Sequence, residues 1–232
     1  MRDEDKPLLR DLALFAQMEE TNFDTMLKGA FFQRFPREVV LIEEGEPADF
    51  LHIVVSGVVE LFATNNDRQC TMAVVRPVST FILAAVLKDA PYLMSARTVE
   101  PSRILMIPSD NLRSAMEADL GLARAMVGEL SVCYRSVVKA LKNQKLRTGV
   151  ERLANFLLRL NDSQGGTGTF KLPLEKRMLA SILGMTPENL SRAFATLKLY
   201  GVKVKGAEVQ LTMIDDLRVL AKPNTLIDDP AS

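Results

Sequence analysis

Apolar positions recur along this chain with two different periods. From about Glu38 to Ile107 they come in short alternating or continuous runs, VVLIEEGEPADFLHIVVSGVVELFATNNDRQCTMAVVRP and then SARTVEPSRILMIP. Gly45, Ser56-Gly57, Asn65-Asn66-Asp67 and Arg76-Pro77 break these runs at near-even intervals. Short runs of this kind, separated by turn residues, predict antiparallel strands forming a β-roll or barrel. From about Ser109 to Leu141 the period becomes helical. Ala123, Met126, Leu130, Cys133, Val137 and Ala140 follow 3-4-3-4-3 spacing, which favours coiled-coil-like pairing. Met126, Leu130, Cys133, Val137 and Ala140 are therefore expected at a homodimer seam. The same stripe would also serve to cover the β-domain, and a helix this long has room for both.

A third pattern occupies Leu172 to Tyr200, LPLEKRMLASILGMTPENLSRAFATLKLY. Met178, Leu179, Ile182 and Leu183 form the apolar stripe of a short helix, and Gly184 ends it. Thr186-Pro187-Glu188 then supplies a capping hydroxyl and a proline suited to a first helical turn. In the second helix Leu190, Phe194 and Leu197 pack inward, leaving Glu188, Ser191, Arg192 and Ala195 on the other side. After Gly201, VKVKGAEVQLT alternates and turns at Lys205-Gly206-Ala207, as in the β-hairpin wing of a winged helix. Helix-turn-helix pairs are also common as simple packing units. Composition raises the case for DNA: between Lys171 and Gly206, seven basic residues face only Glu175 and Glu188. Lys176, Arg177, Lys198, Lys203 and Lys205, with the Thr186 hydroxyl, are the expected phosphate contacts. Glu188, Ser191 and Arg192 are the expected base readers, since arginine suits guanine and glutamate suits the cytosine amino group.

The chain has 232 residues, 47% of them apolar, and a formal net charge of zero. That length suits more than one domain. The pattern divides it into a β-roll over 1–108, a long helix over 109–145 and a winged helix over 146–232, an α+β fold. Charge is regional: the first fifty residues are acidic, whereas Arg135 to Arg159 contains Glu151 as its only acid. No apolar run reaches membrane length and no signal-peptide pattern opens the chain, so a cytoplasmic protein is expected. Cys70 and Cys133 are the only cysteines and His52 the only histidine. A zinc cluster and a serine-type triad are thereby excluded, and no enzyme is expected. The first ten residues and the tail from Lys222 are expected to be loose.

The roll containing GEPADFLHIVVSGVVELF, the long helix and the winged helix together resemble the superfamily of the cyclic-AMP receptor protein and the fumarate-nitrate reduction regulator, from about Leu14 to Leu220. Glu188-x-x-Ser191-Arg192 is similar to the recognition motif of the fumarate-nitrate branch, which implies a dimer reading double-stranded DNA with TTGA-type palindromic half-sites. It implies RNA polymerase as a partner too. Cyclic-nucleotide binders of the family carry a Gly-Glu pair and a later arginine in the roll. Here Phe81 to Leu87 and Met94-Ser95-Ala96 occupy those positions, with Arg97 three residues beyond Met94, so the resemblance does not imply cyclic AMP. Absence of an amino-terminal cysteine cluster likewise removes the iron-sulfur signal. Thr80 to Pro108 looks like the nitrogen-oxide-responsive branch, which implies nitric oxide sensed through haem. His52 is the one imidazole available as an iron ligand. It also reads as a surface or satisfied strand residue, and Met, Cys, Tyr, Pro or the amino terminus are other ligands. A protein with no effector is a further alternative. The competing function is a ligand-binding or protein-interaction module whose winged helix contacts a protein instead of DNA.

Overall fold

The computed structural model of the protein describes residues 5–66 and 68–229. Met1 to Glu4, Asp67 of the expected Asn65-Asn66-Asp67 turn, and Pro230 to Ser232 lie outside the described residues. The chain divides into two compact units, residues 1–133 and 134–232.

The first unit begins with two short helices, α1 (Lys6–Arg10) and α2 (Glu20–Met26). The strands β1 (Phe31–Phe35), β2 (Val40–Ile42), β3 (Phe50–Ser56), β4 (Val59–Asn65), β5 (Arg68–Val75) and β6 (Ser79–Phe81) follow. A helix, α3 (Leu83–Lys88), precedes β7 (Ser95–Thr98) and β8 (Ser102–Pro108). The strands form two antiparallel four-stranded sheets, ordered β1-β8-β3-β6 and β2-β7-β4-β5. This is the expected β-roll, and the turn residues stand where the strands reverse. Gly57 joins β3 to β4 at φ +90°, and a Cβ there would stand 2.6 Å from the Ser102 Cα. Glycine is required twice over at this position, by the backbone angle and by the close approach.

Leu51, Ile53, Val59, Leu61, Ala96, Ile104 and Leu105 fill the core of this unit. Helix α4 (Ser109–Ala118) packs on β3 and β8. The expected single helix over 109–145 is in fact two: Asp119, in extended conformation, separates α4 from α5 (Leu120–Leu146). Its buried carboxylate accepts the backbone N–H of Leu122 at 2.9 Å, capping α5, and the N–H of Glu19 at 2.9 Å and Asn22 Nδ2 at 3.1 Å. One side chain thus starts the long helix and fastens α2 to it. Met126 corrects the expected seam. It is fully buried in the core of the first unit because that face of α5 covers the roll, so it is not available to a second protomer. Of the first ten residues, the described part also differs from expectation: Lys6–Arg10 is helical and Leu9 is fully buried.

The second unit takes over within α5 and continues with α6 (Gly149–Ser163), β9 (Thr169–Lys171), α7 (Lys176–Ile182) and α8 (Pro187–Leu197). The hairpin β10 (Val202–Lys205) and β11 (Glu208–Leu211) precedes α9 (Ile214–Ala221) and α10 (Thr225–Asp228). Strand β9 pairs with β11, widening the expected two-stranded wing to a three-stranded sheet. A capping box starts α6: Thr148 accepts from Glu151 N, and the Glu151 carboxylate accepts from Thr148 N at 2.8 Å. Leu153, Leu157, Leu179, Leu190, Leu197, Val209 and Leu217 form the core. As far as Asp229, the last described residue, the tail is not loose as expected. Helix α10 buries Ile227, and Asp228 receives Arg147 and Arg159. Among the described residues, no helix is long and apolar enough to cross a membrane.

Replacing Asp119 with alanine leaves buried N–H groups without an acceptor, and stability is expected to fall by about 1–3 kcal/mol. The Leu122 N–H, helped by Asn22 and the Glu19 N–H against the opposing effect of burial, holds this carboxyl below its ordinary value of 3.8. Its contribution is therefore complete above about pH 4 and is lost as the pH falls through the lower folded value. Denaturation midpoints of wild type and Asp119→Ala measured from pH 7 down to pH 2 should converge at the acid end.

Candidate nucleic-acid interface

Helix α7 starts after Glu175 and ends at Ile182, and two residues on Gly184, with a φ of +62°, lets the chain reverse. Thr186 caps α8 by accepting the Asn189 N–H at 3.2 Å, and Pro187 occupies the first turn as the sequence indicates. Leu190, Ala193 and Leu197 are buried, whereas the expected inward Phe194 is only partly so. One apolar face directed into the core leaves the opposite face to water. Glu188, Asn189, Ser191, Arg192, Ala195 and Thr196 are all exposed there.

The expected base readers thus share one side of one helix. Glu188 lies one turn ahead of Arg192, so the two are neighbours on the helix surface. A hydrogen bond from Thr186, with a smaller effect of the Arg192 charge, holds the Glu188 carboxyl below the usual carboxylate range. Glu188 is an acceptor at neutral pH. Ser191 donates its hydroxyl to the Pro187 carbonyl at 3.0 Å, and rotation about one bond frees it.

Lys176, Arg177, Thr186, Lys198, Lys203 and Lys205 are exposed. Lys176 and Arg177 stand at the start of α7, Lys198 just beyond α8, and Lys203 and Lys205 on alternate positions of the wing strand β10. None of these five cations is ion-paired among the described residues. Such cations around a polar helix face are what phosphate contact needs.

Sequence reading missed Arg152. Its Nε donates to the Leu183 carbonyl at 2.7 Å and its Nη1 to the Arg147 carbonyl at 2.7 Å. It thereby ties the turn before α8 to the α5–α6 junction. The Thr148-x-x-Glu151 pattern would have placed α6, and with it Arg152, on the map.

In the roll, the residues at the nucleotide positions are otherwise engaged. Leu83 and Val86 belong to the core. Arg97 donates to Glu60 Oε2 at 2.7 Å and to Gln69 at 3.1 Å, and its guanidinium lies 4.6 Å over the Phe62 ring. The buried Glu60 also accepts from Thr71. These residues do not offer a phosphate a free cation. His52, the imidazole named as an iron ligand, lies inside the roll. It is 4% exposed, stacked on Phe81 with ring centroids 5.2 Å apart. Burial, against a hydrogen bond to the Phe50 backbone, lowers its pKa to about 4. Its ring is a neutral packing element. Among the described residues no group of three or more His, Cys, Asp or Glu side chains is placed to hold a metal ion.

Residues 32–119 match the family described as Cyclic nucleotide-binding domain, and residues 151–222 match the Crp-like helix-turn-helix domain. A solved protein from Ruegeria pomeroyi, proposed to bind a cyclic nucleotide, is 32% identical, covering 97% of this chain and 100% of its own, with a TM-score of 0.58. The CRP-like cAMP-activated global transcriptional regulator of Mycobacterium tuberculosis is 23% identical over 93% of this chain and 97% of its own. The transcriptional activator protein FnrL of Cereibacter sphaeroides is 24% identical over 91% and 88%. A β-roll of the cyclic-nucleotide-binding type, followed by a helix-turn-helix with a basic surround and an outward polar face, makes this chain a DNA-binding member of the CRP/FNR family of transcription regulators.

Proposed function

We propose that the protein is a homodimeric regulator that reads a TTGA-type palindrome through Glu188, Ser191 and Arg192. The exposed polar face of α8 carries this reading. Arg192 donates to guanine, Glu188 accepts from a cytosine amino group, and Ser191 contacts a base or phosphate. The cations of α7 and the wing, with Thr186, bind phosphate and set the register of α8 in the major groove.

The dimer seam is proposed along α5. Val127, Tyr134, Val137 and Leu141 are 61%, 72%, 65% and 53% exposed, and with Leu130 they follow 3-4-3-4 spacing. An apolar stripe of this size left to water is an association surface. Cys133 and Ala140, both exposed, flank this register, and Leu130 and Val137 belong to it.

The roll acts as the sensor in this reading, and RNA polymerase is the protein partner in a cytoplasmic setting. The cAMP activation of the Mycobacterium tuberculosis relative does not carry over residue by residue, because Met94 stands where the phosphate cation would be and Arg97 is bound to Glu60. Haem held by His52, and nitric oxide sensed through it, form no part of the proposal, since that ring is already packed.

Arg192→Ala is expected to cost about 1–3 kcal/mol per half-site and to remove the preference for guanine at one position. Competition binding on palindromes altered one base pair at a time reads this; an equal loss on random DNA would contradict the assignment. Lys176→Ala or Arg177→Ala should instead weaken binding to all sequences alike and reduce the salt slope by about one. A charge in the seam, Val137→Glu, should shift sedimentation from dimer to monomer while leaving the circular dichroism spectrum unchanged.

A further inference from the structure

Arg147 and Thr148 form the two-residue junction between α5 and α6. The Arg147 guanidinium, only 6% exposed, grips Asp228 with both terminal nitrogens, Nη1 to Oδ1 at 2.8 Å and Nη2 to Oδ2. Arg159 of α6 adds a second contact to Oδ1 at 2.6 Å. Oδ2 also accepts the Asn224 N–H at 2.7 Å, and Asn224 Oδ1 caps α10 by accepting the Leu226 N–H at 2.9 Å. Further back on α5, Lys139 Nζ donates to the Asp229 carbonyl at 2.8 Å. The segment after α9 is therefore fastened to α5 and to α6 at once.

The junction in turn reaches the turn that precedes the DNA-reading helix. The carbonyl of Arg147 accepts Arg152 Nη1, and the Nε of Arg152 holds the Leu183 carbonyl in the turn before α8. Three side chains, Asp228, Arg147 and Arg152, thus connect the tail to the junction and the junction to the turn between α7 and α8. Ile227 already anchors α10 by apolar burial, so packing alone does not require a buried carboxylate shared by two arginines. A bidentate arginine–carboxylate pair fixes direction as well as distance.

We propose that Asp228 is a positioning residue for DNA reading. It locks the α5–α6 junction and so sets the direction in which α5 leaves the winged helix, which in the dimer fixes the separation of the two α8 helices. This rests on the dimeric reading above.

The test compares full-length wild type, Asp228→Asn and Asn224→Ala on equal-length duplexes carrying one TTGA-type half-site, the palindrome, or the palindrome with one added central base pair. Circular dichroism at the assay temperature establishes that each variant is folded. Asn224→Ala loosens the tail at an exposed cap without leaving Arg147 unpaired. Half-site affinity is expected to stay within about twofold, whereas Asp228→Asn loses about tenfold or more on the palindrome, because bivalent binding depends on geometry. The added base pair should cost wild type about tenfold but Asp228→Asn only about twofold, with Asn224→Ala between them. Equal losses on half-site and palindrome, or unchanged sensitivity to the added base pair, would overturn the positioning role. A wild type with no preference for the palindrome would overturn the dimeric reading and this proposal with it.

Discussion

Burial of Leu190, Ala193 and Leu197 fixes the rotation of α8 about its own axis. With 3.6 residues per turn, directing those three into the core directs Glu188, Ser191 and Arg192 away from it. The rest of the second unit supports that constraint. Thr186 decides where the helix starts, Gly184 lets the chain turn into it, and α6 and α7 supply the apolar surface it leans on. Among these polar side chains, the Ser191 hydroxyl bonds the Pro187 carbonyl and the Glu188 carboxylate accepts from Thr186, both short-range bonds at the exposed start of α8.

The first unit uses its polar groups differently. Glu60, Arg97 and Thr71 satisfy one another on the β4-β5-β7 side of the roll, and His52 lies neutral against Phe81. The Arg97 guanidinium is thereby engaged with a carboxylate of its own fold.

Patterns that repeat locally were legible in the sequence. The strands β3, β4 and β5 follow the apolar runs and turn at Gly57 and Asn66, and in the DNA-reading motif Gly184 follows the first helix and Thr186 caps the start of the second. What escaped depends on distant partners or on register. A 3-4 spacing admits two adjacent stripes on one helix, so period alone assigned Met126 to the seam although its side chain is in the roll's core. Strand β9 has three residues beside a glycine-rich turn, too few for alternation to register. The ordered tail rests on Asp228 meeting Arg147 and Arg159, which lie 81 and 69 residues away, and nothing in the local composition of the tail signals such a contact. Only the capping box at Thr148 was available and unread.

Selection of preferred duplexes from a fully random DNA library by the full-length protein tests the central claim most directly. The account predicts enrichment of an inverted repeat of TTGA-type half-sites whose centres lie about one helical turn, roughly 34 Å, apart. Recovery of no common sequence, or of a motif without two-fold symmetry, would contradict it.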